Sequence, residues 1–128
     1  MDTSTDDKAC SFCGVPGPEG PRFAGGLGAM ICVECVSHFH DVFSTPEKTE
    51  AALQAPWETM TDAEILSKLP LIERNAQQVQ HFLTEWVELA RSRTLSWAQI
   101  GKAMGTTRQS AWERFAQRVE RLRAQRSA

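Results

Sequence analysis

Four cysteines stand in two C-x2-C pairs, Cys10 with Cys13 and Cys32 with Cys35, and 18 residues separate the pairs. A two-residue gap lets both sulfurs of a pair converge on one ion. Two such pairs complete a tetrahedral thiolate shell with Zn–S near ~2.3 Å. The spacing belongs to the C-x2-C…C-x2-C pattern of zinc sites. Four protein ligands leave no position for water or substrate, so the expected cofactor is one structural Zn2+. Gly14 directly follows the first pair, where a left-handed conformation would turn backbone N–H groups toward the sulfurs.

Other uses of four cysteines are less well supported. The N-terminus, MDTSTDDKAC, is acidic and has no apolar stretch, so it does not read as a signal peptide. The chain is therefore expected to be cytoplasmic, where clustered cysteines bind metal more often than they form disulfides. No βαβ pattern surrounds either pair, which disfavours a thioredoxin-like redox role. An iron–sulfur cluster also takes four cysteines and stays open as an alternative. His38 and His40 lie close to the second pair and would be ligands only if a cysteine were not.

The elements that must position these thiols can be read around them. Val36, Phe39, Val42 and Phe43 are spaced for one helical face, so Cys32 and Cys35 should sit at a helix start. The positive end of the helix dipole then lies near the thiolates. The region holds too little apolar material to fold unaided. Zinc binding, on the order of 10–16 kcal/mol in small finger peptides, can supply the missing stability.

The net charge of −2 hides an asymmetry. Residues 1–90 carry 5 Lys/Arg against 14 Asp/Glu, and residues 91–128 carry 9 against 2. A basic end of this kind suits nucleic acid. Within it, Ser96 can cap a helix beginning at Trp97, with Ile100 and Met104 inward and Gly101 allowing a close helix contact. Gly105 supplies a left-handed stop. Thr106 can cap the next helix, on which Ala111, Phe115, Val119 and Leu122 make a buried stripe. Two short helices broken by a glycine turn predict a helix-turn-helix.

On that reading the second helix lies in a DNA major groove with its first residues at base edges. Thr107, Arg108 and Gln109 occupy that turn. Arg can pair with guanine, and Gln with adenine, through two hydrogen bonds each. Glu113, one turn on, could accept from cytosine. Arg114, Arg118 and Arg121 form a basic stripe suited to phosphates, joined by Lys102. Trp97 and Trp112 read as packing residues rather than base-stacking ones.

Between the two signals, residues 44–60 contain Pro46 and Pro56 without sustained periodicity and read as a linker. Thr61 and Glu64 have capping-box spacing and open a short helix to about Lys68. Pro70 suits the first turn of the next helix. Ile72, Ala76, Val79, Leu83, Trp86 and Ala90 form one apolar stripe on a helix of roughly six turns. Its partner is either the helices that follow or a second copy of the chain. The domains are thus 1–8 a disordered tail, 9–43 the zinc-binding domain, 44–60 the linker, 61–122 the helical domain and 123–128 a tail.

The segments CSFCG and AGGLGAMICVECVSHFHDVF resemble the N-terminal zinc-binding domain of the ClpX protein-unfolding ATPase, from Ala9 to Phe43. The resemblance implies a small treble-clef-like zinc fold that tends to dimerise and to bind protein partners. It maps Cys10, Cys13, Cys32 and Cys35 onto the family's ligands one for one. No G-x-x-x-x-G-K-[ST] phosphate loop occurs, so the chain is not that ATPase. Ser96 to Phe115 resembles the helix-turn-helix of bacterial DNA-binding proteins. The expected fold is a small zinc-binding, treble-clef-like module plus a mainly α-helical domain with a helix-turn-helix.

The expected function is sequence-specific binding of double-stranded DNA by a bacterial transcriptional regulator, a homodimer whose zinc module serves dimerisation or partner contact. The alternative is a protein-interaction adaptor linked to Clp-type proteolysis. No nucleophile–base pair, open metal site or nucleotide loop is present, so the chain is not expected to be an enzyme. No apolar stretch approaches the ~20 residues of a membrane span.

Overall fold

The computed structural model describes residues 8–17, 22–53 and 56–127. Most of the expected N-terminal tail, residues 1–7, lies outside the described residues, as do residues 18–21, residues 54–55 of the expected linker and Ala128. The described chain divides into two compact units between Val79 and Gln80. Its elements are strands β1 (Phe23–Gly25) and β2 (Met30–Cys32), then helices α1 (Val33–Val42), α2 (Pro46–Ala52), α3 (Asp62–Ser92), α4 (Trp97–Ala103) and α5 (Arg108–Ser127). Helix α3 gives residues 62–79 to the first unit and 80–92 to the second. Among the described residues, no helix is long and apolar enough to cross a membrane.

The first unit is a small zinc-binding module extended by helices. β1 and β2 pair antiparallel, with Phe23 opposite Cys32 and Gly25 opposite Met30. The period-two alternation of a strand buries Met30 and Cys32. Cys32 then ends the strand and serves as the extended N-cap of α1, so the second pair opens a helix. Of the expected α1 face, Phe39 and Val42 are half-buried, while Val36 and Phe43 are exposed. The buried apolar residues of this unit are few and small: Ala9, Cys10, Met30 and Cys32.

Two expectations change in this unit. The stretch read as a linker contains α2, started by Thr45, whose hydroxyl accepts from the Lys48 N–H at 3.2 Å, with Pro46 in the first turn. Thr-Pro is a helix start as readily as a turn, and the short window hid the difference. A 3-10 turn, Pro56–Thr59, follows it, and Trp57 is exposed. Thr61 does cap the next helix, accepting from the Glu64 N–H at 3.2 Å. That helix, however, runs unbroken through Pro70. A proline inside a helix removes one backbone bond, here to the Leu66 carbonyl. Residues 61–70 are all exposed, so water is at hand for that carbonyl.

The second unit has a core of Val87, Ile100, Ala111, Phe115 and Val119, against which Leu83, Ala90 and Trp97 pack. Ala111, Phe115, Val119 and Leu122 are buried as their spacing predicts. On α3 the stripe is only partly as expected. Leu83 and Ala90 point to the core, but Val87 takes the inward place given to Trp86, which is exposed. One residue along a helix is a rotation of about 100°, enough to move a side chain from core to surface.

The turns explain how the short helices stop. At the end of α3, Leu95 N–H bonds the Ala90 carbonyl and Thr94 N–H bonds the Arg91 carbonyl. Thr94 sits between them at φ 64°. This is the Schellman arrangement, with a threonine where glycine is usual. Helix α4 ends the same way: Thr106 N–H bonds the Gly101 carbonyl, Gly105 N–H bonds the Lys102 carbonyl, and Gly105 lies at φ 71°. Ser96 and Gln99 form a reciprocal capping box at the start of α4. Met104, expected inside, is exposed because α4 stops at Ala103 and its periodicity stops with it. The residues expected as a C-terminal tail continue α5, where Arg123 and Arg126 both reach Glu88, at 3.3 and 3.0 Å.

Candidate metal centre and nucleic-acid interface

The four cysteines converge. Cys10 Sγ lies 3.8 Å from Cys35 Sγ, and Cys13 Sγ lies 3.7 Å from Cys32 Sγ. All four sulfurs lie within 4.8 Å of one another. A tetrahedron with Zn–S of ~2.3 Å has S···S edges of ~3.8 Å, so the spacing fits a single zinc ion. It is far above the ~2.05 Å of a disulfide, and the four thiols are free. His38 and His40 are exposed and outside this cluster.

The local chain explains the convergence. Between Cys10 and Val15 a tight knuckle closes through Gly14 N–H to the Cys10 carbonyl and Cys10 N–H to the Val15 carbonyl, both at 3.0 Å. Gly14 sits there at φ 84°, the left-handed conformation expected of it. The Ser11 N–H bonds the Met30 carbonyl at 2.7 Å, and Ser11 Oγ accepts from the Met30 N–H at 3.0 Å. Those two bonds fasten the knuckle to β2, which carries Cys32. The side chain of Gln78 on α3 holds Ala9 through both its backbone groups, at 2.8 and 3.0 Å.

Electrostatics show why the set needs a cation. Burial pushes the Cys10 thiol up, but N–H groups of Cys13, Cys32 and Phe12 outweigh it and lower its pKa to about 6. The Phe12 and Cys32 N–H groups approach its sulfur to 3.4 Å. Cys35 is pushed up by burial and then by the sulfurs of Cys32, Cys13 and Cys10. The Val15 N–H lowers Cys13, yet burial and the sulfurs of Cys10 and Cys32 leave it raised. Four crowded thiols cannot all ionise alone, and a bound metal deprotonates them together. With four protein ligands the ion is structural: Cys10, Cys13, Cys32 and Cys35 make a C4 site for one Zn2+.

The residues proposed from sequence for DNA lie on α4, the turn and α5. Lys102, Thr107, Arg108, Gln109, Glu113, Arg114, Arg118 and Arg121 are all exposed. The helix cap is Thr107 rather than Thr106: its Oγ1 accepts from the Ser110 N–H at 3.0 Å. Thr106 is instead used to close α4. Gln109 Nε2 donates to Glu113 Oε1 at 3.0 Å, which places both on one face. Arg114 turns away toward α3, bonding Gln80 Oε1 at 3.3 Å with its guanidinium 4.8 Å over the Phe115 ring. Arg118 and Arg121 remain at the surface of α5. The first turn of α5 carries no acidic residue, so its positive dipole end is not neutralised.

Trp97 packs on the core, with the Arg91 guanidinium 4.8 Å over its ring, as expected. Trp112, also read as a packing residue, is 49% exposed. It stands three and four residues from Gln109 and Arg108, on their side of α5. Sequence spacing contained that signal, because Trp112 follows the buried Ala111 by one residue. Gly101 faces the turn so closely that a Cβ would lie 2.7 Å from the Thr107 carbonyl oxygen.

The family description of the ClpX C4-type zinc finger matches residues 8–45. Neither curated proteins nor solved structures give a match to this chain. The matched segment spans all four thiols, the hairpin and α1.

Proposed function

We propose, on the premise that residues 8–45 are a ClpX-type C4 zinc finger, that this chain is a sequence-specific DNA-binding protein acting as a bacterial transcriptional regulator. In this reading the finger is a treble clef, its knuckle, hairpin and helix each supplying ligands, and it serves assembly or partner contact. The pair α4 and α5 is a helix-turn-helix. The observation that carries the reading is the close fit of Gly101 against the turn, together with exposed polar residues Arg108, Gln109 and Ser110 opening α5 and no acidic residue in its first turn.

Each residue then has a role. The N-terminus of α5 and Thr107 approach the phosphates, while Arg108 and Gln109 read guanine and adenine edges. Glu113 orients Gln109 and accepts from cytosine. Trp112 adds an apolar surface beside them, suited to a thymine methyl. Lys102, Arg118 and Arg121 meet phosphates, and Arg114 does so after releasing Gln80. Two chains acting together would present two reading helices to two half-sites.

Selection from a pool of random duplexes by the zinc-loaded chain tests this. Enrichment of a short motif that is lost with Arg108→Ala supports it, and a pool that stays random refutes it. The finger favours a second reading, an adaptor linked to Clp-type proteolysis. That reading predicts a protein partner whose capture survives nuclease treatment.

A further inference from the structure

The first half of α3 carries an apolar stripe that the first unit leaves uncovered. Ile65, Leu69, Ile72, Ala76 and Val79 recur at spacings of four, three, four and three. Ile65, Leu69, Ile72 and Val79 keep 39–62% of their surface exposed, and Ala76 is exposed too. The zinc finger uses a different line of the helix: a Cβ on Gly14 would meet Leu71 at 3.4 Å, and Gln78 holds Ala9. Leu71 and Gln78 are seven residues apart, and the two lines meet at one edge of the stripe, where a Cβ on Gly28 would meet Val79 at 3.6 Å and Ile72 lines a cleft with Cys10 and Phe12.

The spacing is that of a heptad seam, with Leu69 and Ala76 at a and Ile65, Ile72 and Val79 at d. Proline at 70 falls at b, on the outer surface, where a missing N–H does not disturb a seam. The flanking positions decide what can lie against it. Lys68 falls at g and Glu73 at e of the following heptad, and both are exposed. When two copies pair in parallel and in register, a g residue faces the next e residue of the other strand. Lys68 of each copy then faces Glu73 of the other, giving two symmetric ion pairs.

We infer that residues 65–79 of α3 form the self-association surface of this protein, a short parallel coiled coil with a second copy of the chain. This deepens the homodimer part of the proposed function. Its failure would leave DNA binding by a single chain standing, because the test reads mass and not DNA. Two heptads make a modest seam, so association falls in the range of roughly 1 µM to 1 mM rather than below it.

Sedimentation equilibrium of the zinc-loaded full chain across that range is the test. The mass should rise from one chain to two with concentration. Ile72→Asp, at a position 62% exposed, should weaken association by about tenfold or more. Lys68→Glu alone should weaken it through like charges, and Lys68→Glu combined with Glu73→Lys should restore it. Zinc content and circular dichroism confirm that each variant is folded. A single-chain mass throughout, an association that Ile72→Asp leaves unchanged, or a charge exchange that fails to rescue would overturn the inference. A mass of three or four chains, the states toward which Leu at a with Ile at d shifts a seam, would overturn it as well.

Discussion

Gly101→Ala is the perturbation that most sharply separates a packed helix-turn-helix corner from two loosely joined helices. In an exposed helix the change stabilises by about 1 kcal/mol, since Ala is the better helix former. Here the new Cβ would lie 2.7 Å from the Thr107 carbonyl oxygen, 2.9 Å from its carbon and 3.1 Å from the Arg108 nitrogen. All three atoms are backbone, so no side chain can swing aside. Either α4 or the start of α5 must move by several tenths of an ångström. Overpacking of this kind costs about 1–3 kcal/mol, which exceeds the propensity gain. A net loss of about 1 kcal/mol lowers the melting temperature by roughly 4–8 °C in a unit of this size. Thermal melts of the full zinc-loaded chain followed by circular dichroism, with Ala103→Gly as the reference for propensity alone, measure it. A Gly101→Ala protein as stable as the parent or more so would refute the reasoning.

Four further outcomes follow from the same structure. Chelation of zinc, or Cys32→Ser, should collapse the amide spectrum of residues 8–45 while α4 and α5 keep theirs, with one zinc released for four thiols titrated. Acid should release the metal too, because every ligand must be deprotonated. Backbone N–H groups lower the folded pKa of Cys10 to about 6, so while the finger is folded its thiolate persists above that pH and is lost as pH falls through it, and zinc content measured against pH should fall there. Thr94→Gly should raise stability by about 1 kcal/mol in urea titration, since a β-branched residue is held at φ 64° where glycine is unstrained. Phe115→Ala, at a fully buried position, should cost about 3–5 kcal/mol and melt the second unit. It should leave one equivalent of zinc bound, as metal analysis would show.

The metal centre was legible because ligand spacing is chemistry written directly in the chain. Two C-x2-C pairs and a glycine after the first are enough to place the thiols, and α1 begins where Cys32 demands. The buried stripe of α5 was equally plain, since Ala111, Phe115, Val119 and Leu122 keep helical spacing without interruption. What sequence hid was rotation and termination. Val87 and Trp86 differ by one position, and only contact with Phe115 and its neighbours decides which is inside. Pro70 looked like a helix start because a proline at the first turn and one in an exposed interior leave similar patterns. Thr94 gave no sign of a left-handed stop, since its conformation is imposed by the bonds of Leu95 to Ala90. The basic residues of α5 read as one class, yet Arg123 and Arg126 are engaged by Glu88, and Arg114 by Gln80. Side-chain partners across thirty or more residues are not visible in local spacing.

The central claim, that the second unit grips duplex DNA through α5, is tested most directly by the salt dependence of binding. On the proposed reading, Lys102, Arg114, Arg118 and Arg121 would make about four phosphate contacts per chain. The logarithm of the association constant should therefore fall against that of salt with a slope of about −3 to −4 per bound chain. Arg118→Ala should make that slope shallower by about 1. Fluorescence anisotropy with a labelled duplex gives both values. No binding at low salt, or binding indifferent to salt and to Arg118, would contradict the account.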